Sequence, residues 1–428
     1  MDDFNGLTDR IQCLGDQLEA AYHRCNYDDA ALPALAADLL ADFDAETEFD
    51  PRSIAAFFAQ TRVRQQTDLR FSNLPVTLYR HREFYIEILV WSHASTAVHQ
   101  HSFAGAFKVL QGSSLHTRFR FEQQRRLSAD FLLGEVMPEY TEFLPLGAVR
   151  PILAGDGGLI HSLYHLEQPS MTLVVRSHGH DRHMPQYTFF RPCIALNPFY
   201  YERDDLLIMT SRLLNVARQV DPATMLPLWM DSVGRLDYPR LAYLLLTNSY
   251  PANHEADLQQ VLEAARRLHG DLVDALDKSL RVQRKLETLS NCRKNLQDPD
   301  LRFLLALLMN ATDREAVLRL LQQRHPDADP IHTCAELLAR LSTSKTATKQ
   351  ILTQALDEVK IHALLLGNML GVALPDDASL EDAELLYRQF LQDPEALQIP
   401  ATCCHLDRQQ VQAFLGRLVG LDVLECLR

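Results

Sequence analysis

Apolar residues at the start of the chain recur at intervals of three and four. Ile11, Leu14 and Leu18 are one example of this spacing. Side chains at these intervals share one face of a helix, so the pattern predicts two or three opening helices. Asp50-Pro51 favours the start of a further helix, because Pro is well accommodated in the first helical turn. We expect these helices, over residues 1–72, to pack on the domain that follows.

The pattern changes at Asn73 to short apolar runs separated by Gly, Pro and Asp. Each run has at most nine residues and is rich in Val, Ile, Leu, Phe and Tyr. Runs of this length between turn-forming residues are typical of antiparallel β structure. The runs, which predict a β-barrel domain over residues 73–198, are VTLYRH, EFYIEILVW, GAFKVLQG, HTRFRFEQ, GLIHSLYHL and MTLVVRS.

After Pro198 the spacing of three and four returns and continues towards the end of the chain. DLLIMTSRLLNVARQV and DLRFLLALLMNA show it clearly, and such amphipathic patterns are typical of packed helices. We find no fixed repeat period that would indicate a solenoid. The sequence therefore predicts an α+β protein, in which N-terminal helices and a β-barrel precede an all-helical domain over residues 199–428.

Charge and hydropathy narrow the functional classes. The 428-residue chain has a formal net charge of −14 and no run rich in Lys and Arg. This argues against a nucleic-acid surface, because phosphate binding requires positive charge. No apolar stretch is long enough to span a membrane, and the first residues do not have the pattern of a secretion signal. We expect a cytoplasmic protein with neither nucleic-acid nor membrane partners.

Three histidines in the barrel segment carry the strongest chemical signal. His99 and His101 are two positions apart beside a predicted strand, so their side chains point to the same side. Some sixty residues later His161 follows a Gly-rich turn, where it can complete a set of three; His165 is the alternative third member. Three imidazoles suit a first-row transition metal and leave positions open for a substrate.

Two other clusters are weaker candidates. The eight cysteines form no CxxC pair, so we interpret them as reduced thiols. The run 403–405, Cys-Cys-His, offers fewer ligands than a structural zinc site needs. His178, His180 and His183 are irregularly spaced after the last predicted strand, which favours a solvated loop over a second metal site.

The barrel segment resembles a known family over about residues 75–180. The runs EFYIEILVWSHASTAVHQHSFAGAFKVLQG and GLIHSLYHLEQPSMTLVV are similar to the corresponding stretches of the cysteine dioxygenase group of cupins. The glutamate that generic cupins usually carry after the HxH pair is absent. The resemblance implies a cupin-type barrel, the double-stranded β-helix. By motif matching, the family's iron ligands fall on His99, His101 and His161, and framework positions on Trp91, Lys108, Gln111 and Gly112.

The departures from the family pattern concern the residues around the metal. Gly105 stands where animal cysteine dioxygenases carry the cysteine of a Cys-Tyr crosslink, so we expect no crosslink. The family's Ser-His-Tyr relay falls on Thr172, Val174 and Arg176. Val174 and Arg176 do not reproduce the histidine and the tyrosine, so two of the three relay roles are lost. If Arg176 points inward, it favours an anionic substrate, because guanidinium binds carboxylate in a fork. Arg80 matches the region of the family's carboxylate-binding arginine.

The resemblance implies a mononuclear non-haem Fe(II) dioxygenase that acts with dioxygen on a small substrate, for which a thiol or a carboxylate is the candidate group. Another first-row transition metal is the alternative to iron. The competing hypothesis is a cupin that senses a metal or ligand without turnover. In either case the helical domain is a candidate surface for a protein partner or for self-association, because fold resemblance by itself does not establish function.

Overall fold

The computed structural model describes most of the chain. The described residues are 2–44, 72–92, 96–155, 157–178, 185–248, 255–296, 298–343, 375, 377–393, 399–403, 405–419 and 426. Two helices come first, α1 (Asp2–Arg24) and α2 (Leu32–Asp42). The further helix predicted to start at Asp50-Pro51 lies outside the described residues.

Strands follow α2 in the part of the chain where the apolar runs predict them. They are β1 (Leu74–Arg80), β2 (Phe84–Trp91), β3 (Val98–His99), β4 (Gly105–Gln111), β5 (Ser114–Ser128), β6 (Phe131–Leu144), β7 (Val149–Ile152), β8 (Ile160–His165), β9 (Ser170–Ser177), β10 (Thr188–Phe190) and β11 (Ile194–Leu196).

Helices occupy the described residues after β11. They are α3 (Pro198–Tyr201), α4 (Asp205–Val220), α5 (Met225–Arg235), α6 (Tyr238–Thr247), α7 (Glu255–His269), α8 (Leu272–Asn295), α9 (Pro299–Asn310), α10 (Arg314–Arg324), α11 (Pro330–Thr343), α12 (Leu380–Gln392) and α13 (Arg408–Val419), with short 3₁₀ turns at Pro222–Thr224 and Ala401–Cys403.

The strands form two sheets. One is an open five-stranded sheet in the order β1-β2-β9-β4-β7, and the other is a closed barrel in the order β10-β11-β6-β5-β8-β3. The registered strand pairs of both sheets are antiparallel. The predicted α+β class, with N-terminal helices, a closed antiparallel barrel and C-terminal helices, is confirmed. The five-stranded sheet is an addition that short-range periodicity does not distinguish from barrel strands.

The five-stranded sheet is buried on both faces. On one face, Ile86 and Ile88 of β2 pack with α1 and α2 in a single apolar cluster. On the other face, Leu89 and Trp91 of the same strand pack with Phe107 of β4. Because both faces exclude water, these strands read as nearly continuous apolar runs, not as an alternation of polar and apolar residues.

A buried lysine connects α2 to this sheet. The Nζ of Lys108 on β4 donates to the backbone oxygen of Phe43, 2.6 Å away, just beyond the end of α2. Carbonyls at the end of a helix have no partner within the helix, so an ammonium group stabilises them well. Lys108 is one of the framework positions matched by the family resemblance, and this hydrogen bond to the end of α2 gives it a structural role.

The first half of the helical region shares a core with the barrel. Tyr201, Leu207 and Trp229 belong to one buried apolar cluster with Phe131 of β6 and Ile194 of β11. Residues 1–138 and 144–284 form one compact unit. The predicted boundary at 198/199 therefore does not coincide with this division, because the apolar faces of the first helices after β11 bury barrel residues.

The second compact unit consists of residues 139–143 and 285–428. Its helices bury Phe303 of α9, against whose ring the edge of Phe143 packs. Thr141 donates its hydroxyl to the backbone oxygen of Asn310 at 2.7 Å. A short stretch of β6 thus belongs to the core of this unit, which a linear division of the sequence does not predict.

Two sequence-level expectations concern the chemistry of the whole chain. Among the described residues, no helix combines the length and apolar character needed to cross a bilayer. The described cysteines at 13, 25, 193, 334, 403 and 426 are free thiols.

Candidate metal centre

His99, His101 and His161 come together as the sequence predicts. His99 ends β3, His101 follows two positions later, and His161 lies on β8 directly opposite His99 in the strand register. The exposed fractions of the three residues are 7%, 5% and 2%. One potential ligand atom from each lies within 4.8 Å of the others, and among the described residues this is the group identified as able to hold a metal ion.

Backbone contacts fix the segment that carries His101. The amide nitrogen of Gly155 donates to the backbone oxygen of His101 at 3.2 Å. Gly155 has a φ of 74°, in the left-handed region that only glycine adopts without strain. The Gly-rich turn before β8 therefore holds the loop of His101 close to the strand of His161.

The spacing of the imidazole nitrogens fits a shared metal ion. The Nε2 atoms of His101 and His161 lie 2.8 Å apart. Two nitrogens bonded at right angles to one metal at about 2.0–2.1 Å would be separated by about 3 Å. The observed separation is close to this value, so both nitrogens can ligate one ion after a small adjustment.

Hydrogen bonds on the far sides of two rings define which nitrogen is available. The Nδ1 of His99 donates to the backbone oxygen of Ala97 at 2.8 Å, and a carbonyl can only accept. This proton on Nδ1 leaves the lone pair of His99 on Nε2. The Nδ1 of His161 lies 2.9 Å from the Nε2 of His116, so His161 also has an outer partner that leaves its Nε2 for a metal.

The three imidazoles are uncharged at neutral pH. Burial lowers the pKa of His99 to about 4, because the imidazolium form loses its hydration. Burial also lowers the pKa values of His101 and His161 well below the usual value, with nearby histidines as a smaller cause in the same direction. Metal binding requires the neutral imidazole, so these side chains bind without first releasing a proton to solvent.

His165, the alternative third ligand, lies elsewhere on β8. Its ring stacks on Trp91 with centroids 4.6 Å apart, and its Nδ1 is 3.0 Å from the hydroxyl of Ser114. It is absent from the three-histidine group. The structure therefore favours His161 over His165.

A cavity opens in front of the histidines. Its internal volume is about 30 Å³, room for little more than a small group, and its walls are mostly apolar. Phe107 and Ile152 are typical of these walls. A small, largely apolar pocket with a few convergent polar groups is the usual form of a small-molecule site. The full set of lining residues is Leu89, Trp91, Thr96, His99, His101, Phe103, Phe107, Ile152, His161, Leu163, Thr172, Val174 and Arg176.

The three relay-matched residues share one wall of this cavity. Thr172, Val174 and Arg176 alternate along β9 and all line the space in front of the histidines. The Nε1 of Trp91 donates to the hydroxyl of Thr172 at 3.4 Å. This wall therefore presents one hydroxyl, one apolar side chain and one guanidinium towards the metal site.

Arg176 is paired with a buried carboxylate. Its Nη1 donates to the Oε1 of Glu87 at 2.6 Å, and the Glu87 side chain is fully buried. The guanidinium also lies over the ring of Phe103, 3.9 Å from its centroid. The cavity wall thus carries a guanidinium whose charge is already balanced by the protein.

Arg80 does not join the site. It is an exposed residue at the end of β1 and is not among the residues that line the cavity.

Gly105 faces a backbone too close for any side chain. A Cβ at this position would lie 1.9 Å from the backbone oxygen of Val175 on β9. A cysteine here would clash with the neighbouring strand. The backbone arrangement at this position therefore accommodates glycine and not the cysteine of a Cys-Tyr crosslink.

The weaker candidate clusters do not form sites among the described residues. His178 contacts the backbone oxygen of His81 through its Nε2 at 3.0 Å, whereas His180 and His183 lie outside the described part. Cys403 is buried and His405 is exposed next to Asp382. Position 404 is not described.

Sequence reasoning missed His116. In β5 the alternation places His116 and Arg118 on one face and Phe119 on the other, and this pattern ordinarily indicates a solvated polar face. In the folded chain this face points to the side of the barrel sheet that carries His161, and His116 is buried there. The single indication in the sequence was a histidine in a strand adjacent to the predicted ligands.

The site is thus a set of three buried, uncharged imidazoles that converge beside a small apolar cavity. Nitrogen donors of this kind suit iron, copper, nickel or zinc. Comparison of this chain with protein-family models and with curated proteins found no match.

Proposed function

We propose that this chain is a mononuclear non-haem iron dioxygenase whose barrel is of the cupin type. His99, His101 and His161 would hold Fe(II), and the substrate would be a small molecule that carries a thiol or a carboxylate. The observation that supports this proposal most directly is the convergence of three buried imidazoles on the wall of a cavity.

Bound Fe(II) would supply the redox chemistry that combines dioxygen with the substrate, and the protein would supply position and surroundings. Three protein ligands would leave further coordination positions of the metal available to other ligands. Phe107 and Val174 line that cavity and limit the access of water. A dry site protects a reactive metal centre from side reactions.

The charge of the cavity wall bears on the substrate. Arg176 presents several N–H donors, of which Nη1 is bound to Glu87. A substrate carboxylate would therefore share the guanidinium with Glu87, and a neutral or weakly acidic group such as a thiol would meet a balanced site. Thr172 offers a hydroxyl to either substrate on the same wall.

The test uses full-length protein from which metal has been removed and to which Fe(II) is added back. We expect one Fe(II) per chain and oxygen consumption with at least one member of a panel of small thiols and carboxylates. His101→Ala should lose most of the bound iron while its circular dichroism stays unchanged, because the barrel has its own core. His165→Ala is the matched control, since His165 is a buried histidine of the same site region that lies outside the ligand set.

Two outcomes would contradict the proposal at different levels. Full iron retention by His101→Ala would overturn the ligand assignment. Iron binding without oxygen consumption across the panel would overturn the dioxygenase and would support the metal- or ligand-sensing cupin instead.

A further inference from the structure

We infer that His116 is a positioning residue that orients His161 and fixes its protonated nitrogen, so that the Nε2 of His161 faces the metal. The inference rests on the proposed metal site and adds a residue that the sequence comparison with thiol dioxygenases does not mark. Its basis is the 2.9 Å contact between the Nε2 of His116 and the Nδ1 of His161.

The strand register places the two rings together. β5 and β8 pair over six successive positions, with Arg118 opposite His161 and His116 opposite Leu163. His116 and His161 are therefore diagonal neighbours on one face of the sheet, a relation that brings long side chains into contact. Their rings meet edge to face, with centroids 5.1 Å apart and an interplanar angle of 86°.

The hydrogen bond has one direction that is compatible with metal binding. If the Nε2 of His161 donates its lone pair to a metal, the proton of the neutral ring must be on Nδ1. That N–H then donates to the Nε2 of His116. A metal-ligating histidine commonly makes such an outer hydrogen bond, which sets the ring orientation and raises the basicity of the ligand.

His116 is not placed to be a fourth ligand. Its Nε2 lies against the Nδ1 of His161, whereas the metal side of that ring is its Nε2, which faces His101. The two nitrogens of an imidazole point away from each other. His116 therefore acts on the metal through His161 and does not share its ion.

The surroundings hold His116 in place. It is buried, and the ring of Phe107 packs against it edge to face, 6.1 Å between centroids. Phe107 also lines the cavity. The imidazole therefore has little freedom to turn away from His161, which is what an orienting residue requires.

The test compares the affinity of the full chain for Co(II), measured by competition with a chelator, and the absorption spectrum of the Co(II) form. His116→Asn should bind Co(II) about 10–100-fold more weakly, which is the usual cost of losing an outer-shell partner. His116→Gln should restore affinity to within a few fold, because its amide reaches the position of Nε2 whereas that of Asn does not. The Co(II) spectrum should shift in His116→Asn and return in His116→Gln.

The control is His165→Asn, which alters another buried, hydrogen-bonded histidine on the strand of His161 and should leave affinity and spectrum unchanged. Wild-type affinity and spectrum in His116→Asn would overturn the inference, as would an equal loss in His165→Asn. If the wild-type chain bound no Co(II), the proposed metal site would fail together with it. Co(II) binding without oxygen consumption by the Fe(II) form would contradict the dioxygenase alone, and the role of His116 would still be decided by its variants.

Discussion

At the scale of single residues, the pair Arg176–Glu87 controls the polarity of the cavity wall. The carboxylate is fully buried and the guanidinium is almost so, and they meet at 2.6 Å. Removing one member of a buried ion pair leaves the other charge without its main compensation, which commonly costs about 3–5 kcal/mol. From the sequence, Arg176 was a candidate for binding an anionic substrate. The structure shows that it also pairs with Glu87, so substitution of Arg176 affects this ion pair as well as any substrate contact.

We therefore expect Arg176→Met to lower the free energy of unfolding by about 3–5 kcal/mol, and Glu87→Gln/Arg176→Met to recover most of that loss. Denaturant unfolding of the metal-free proteins measures both values. Arg80→Met is the control, because an exposed residue of this kind changes stability by at most about 0.5 kcal/mol. Equal stability of Arg176→Met and the wild type would show that the pair does not stabilise the fold.

A loss of ligand affinity in Arg176→Met can be interpreted only by comparison with the double variant Glu87→Gln/Arg176→Met. If the guanidinium binds a substrate carboxylate, affinity for anionic ligands should be low in both variants while metal content is unchanged. If affinity returns in the double variant, the uncompensated carboxylate of Glu87, and not a lost substrate contact, caused the defect of the single variant.

At the scale of elements, the solvent face of α4 is unusual. Five apolar side chains along this helix are each more than half exposed, at intervals of three, four, three and four residues; they are Leu206, Met209, Leu213, Val216 and Val220. The opposite face carries Leu207 and Leu214, which are buried in the core shared with the barrel. A helix that packs on a core with one side needs apolar residues on that face only. Packing within this chain therefore does not explain the second apolar stripe of α4.

We expect this stripe to pair with the same stripe of a second copy. A contiguous exposed apolar patch commonly marks an interaction site, and a specific interface buries at least about 1,000 Å² in total. Identical helices meeting about a two-fold axis form a closed contact, which fits a dimer. The helical region was predicted from the sequence as a site of self-association or partner binding, and this stripe gives that prediction a location.

Sedimentation velocity tests the pairing. The wild type should show a concentration-dependent dimer, and Leu213→Lys should remain a monomer with unchanged circular dichroism and metal content. Asn215→Lys adds the same charge to an exposed position of α4 outside the stripe and should still dimerise. A wild-type monomer at all accessible concentrations would remove α4 as a self-association surface.

At the scale of the whole molecule, the junction between strands and helices lies inside a core. Ile194 and Leu196 of β11 share a buried cluster with Tyr201 and Leu207. Proteases cleave native chains where a local segment opens easily, and segments with many buried contacts open rarely. The region between residues 190 and 210 should therefore resist cleavage.

Limited digestion of the native full-length chain with chymotrypsin checks this expectation, because Phe199, Tyr200 and Tyr201 offer cleavage sites in the segment. We expect no early product that ends in this region. Digestion of the heat-unfolded chain is the control and should cut there readily. Rapid cleavage of the native chain into two stable halves at this segment would show that the barrel and the helices are independent.

The sequence by itself determined the parts that depend on short-range periodicity. A period near three and a half residues marked the opening helices and those after Pro198, and short apolar runs marked the strands between them. The same reasoning placed His99 and His101 on one side of the chain, because alternate residues of extended backbone share a face. The identity of His161 as the third member needed the family resemblance in addition.

Contacts between residues distant along the chain were decided only by the tertiary structure. The register of β5 against β8 turned His116 towards His161, and the register of β2 against β9 set Glu87 opposite Val174, within reach of Arg176. The compact units of the folded chain divide at 284/285, with residues 139–143 in the second unit, whereas periodicity placed a boundary at 198/199. Periodicity reports which face of an element is apolar, but it does not report which other element covers that face, because the covering element is selected by packing of the whole core.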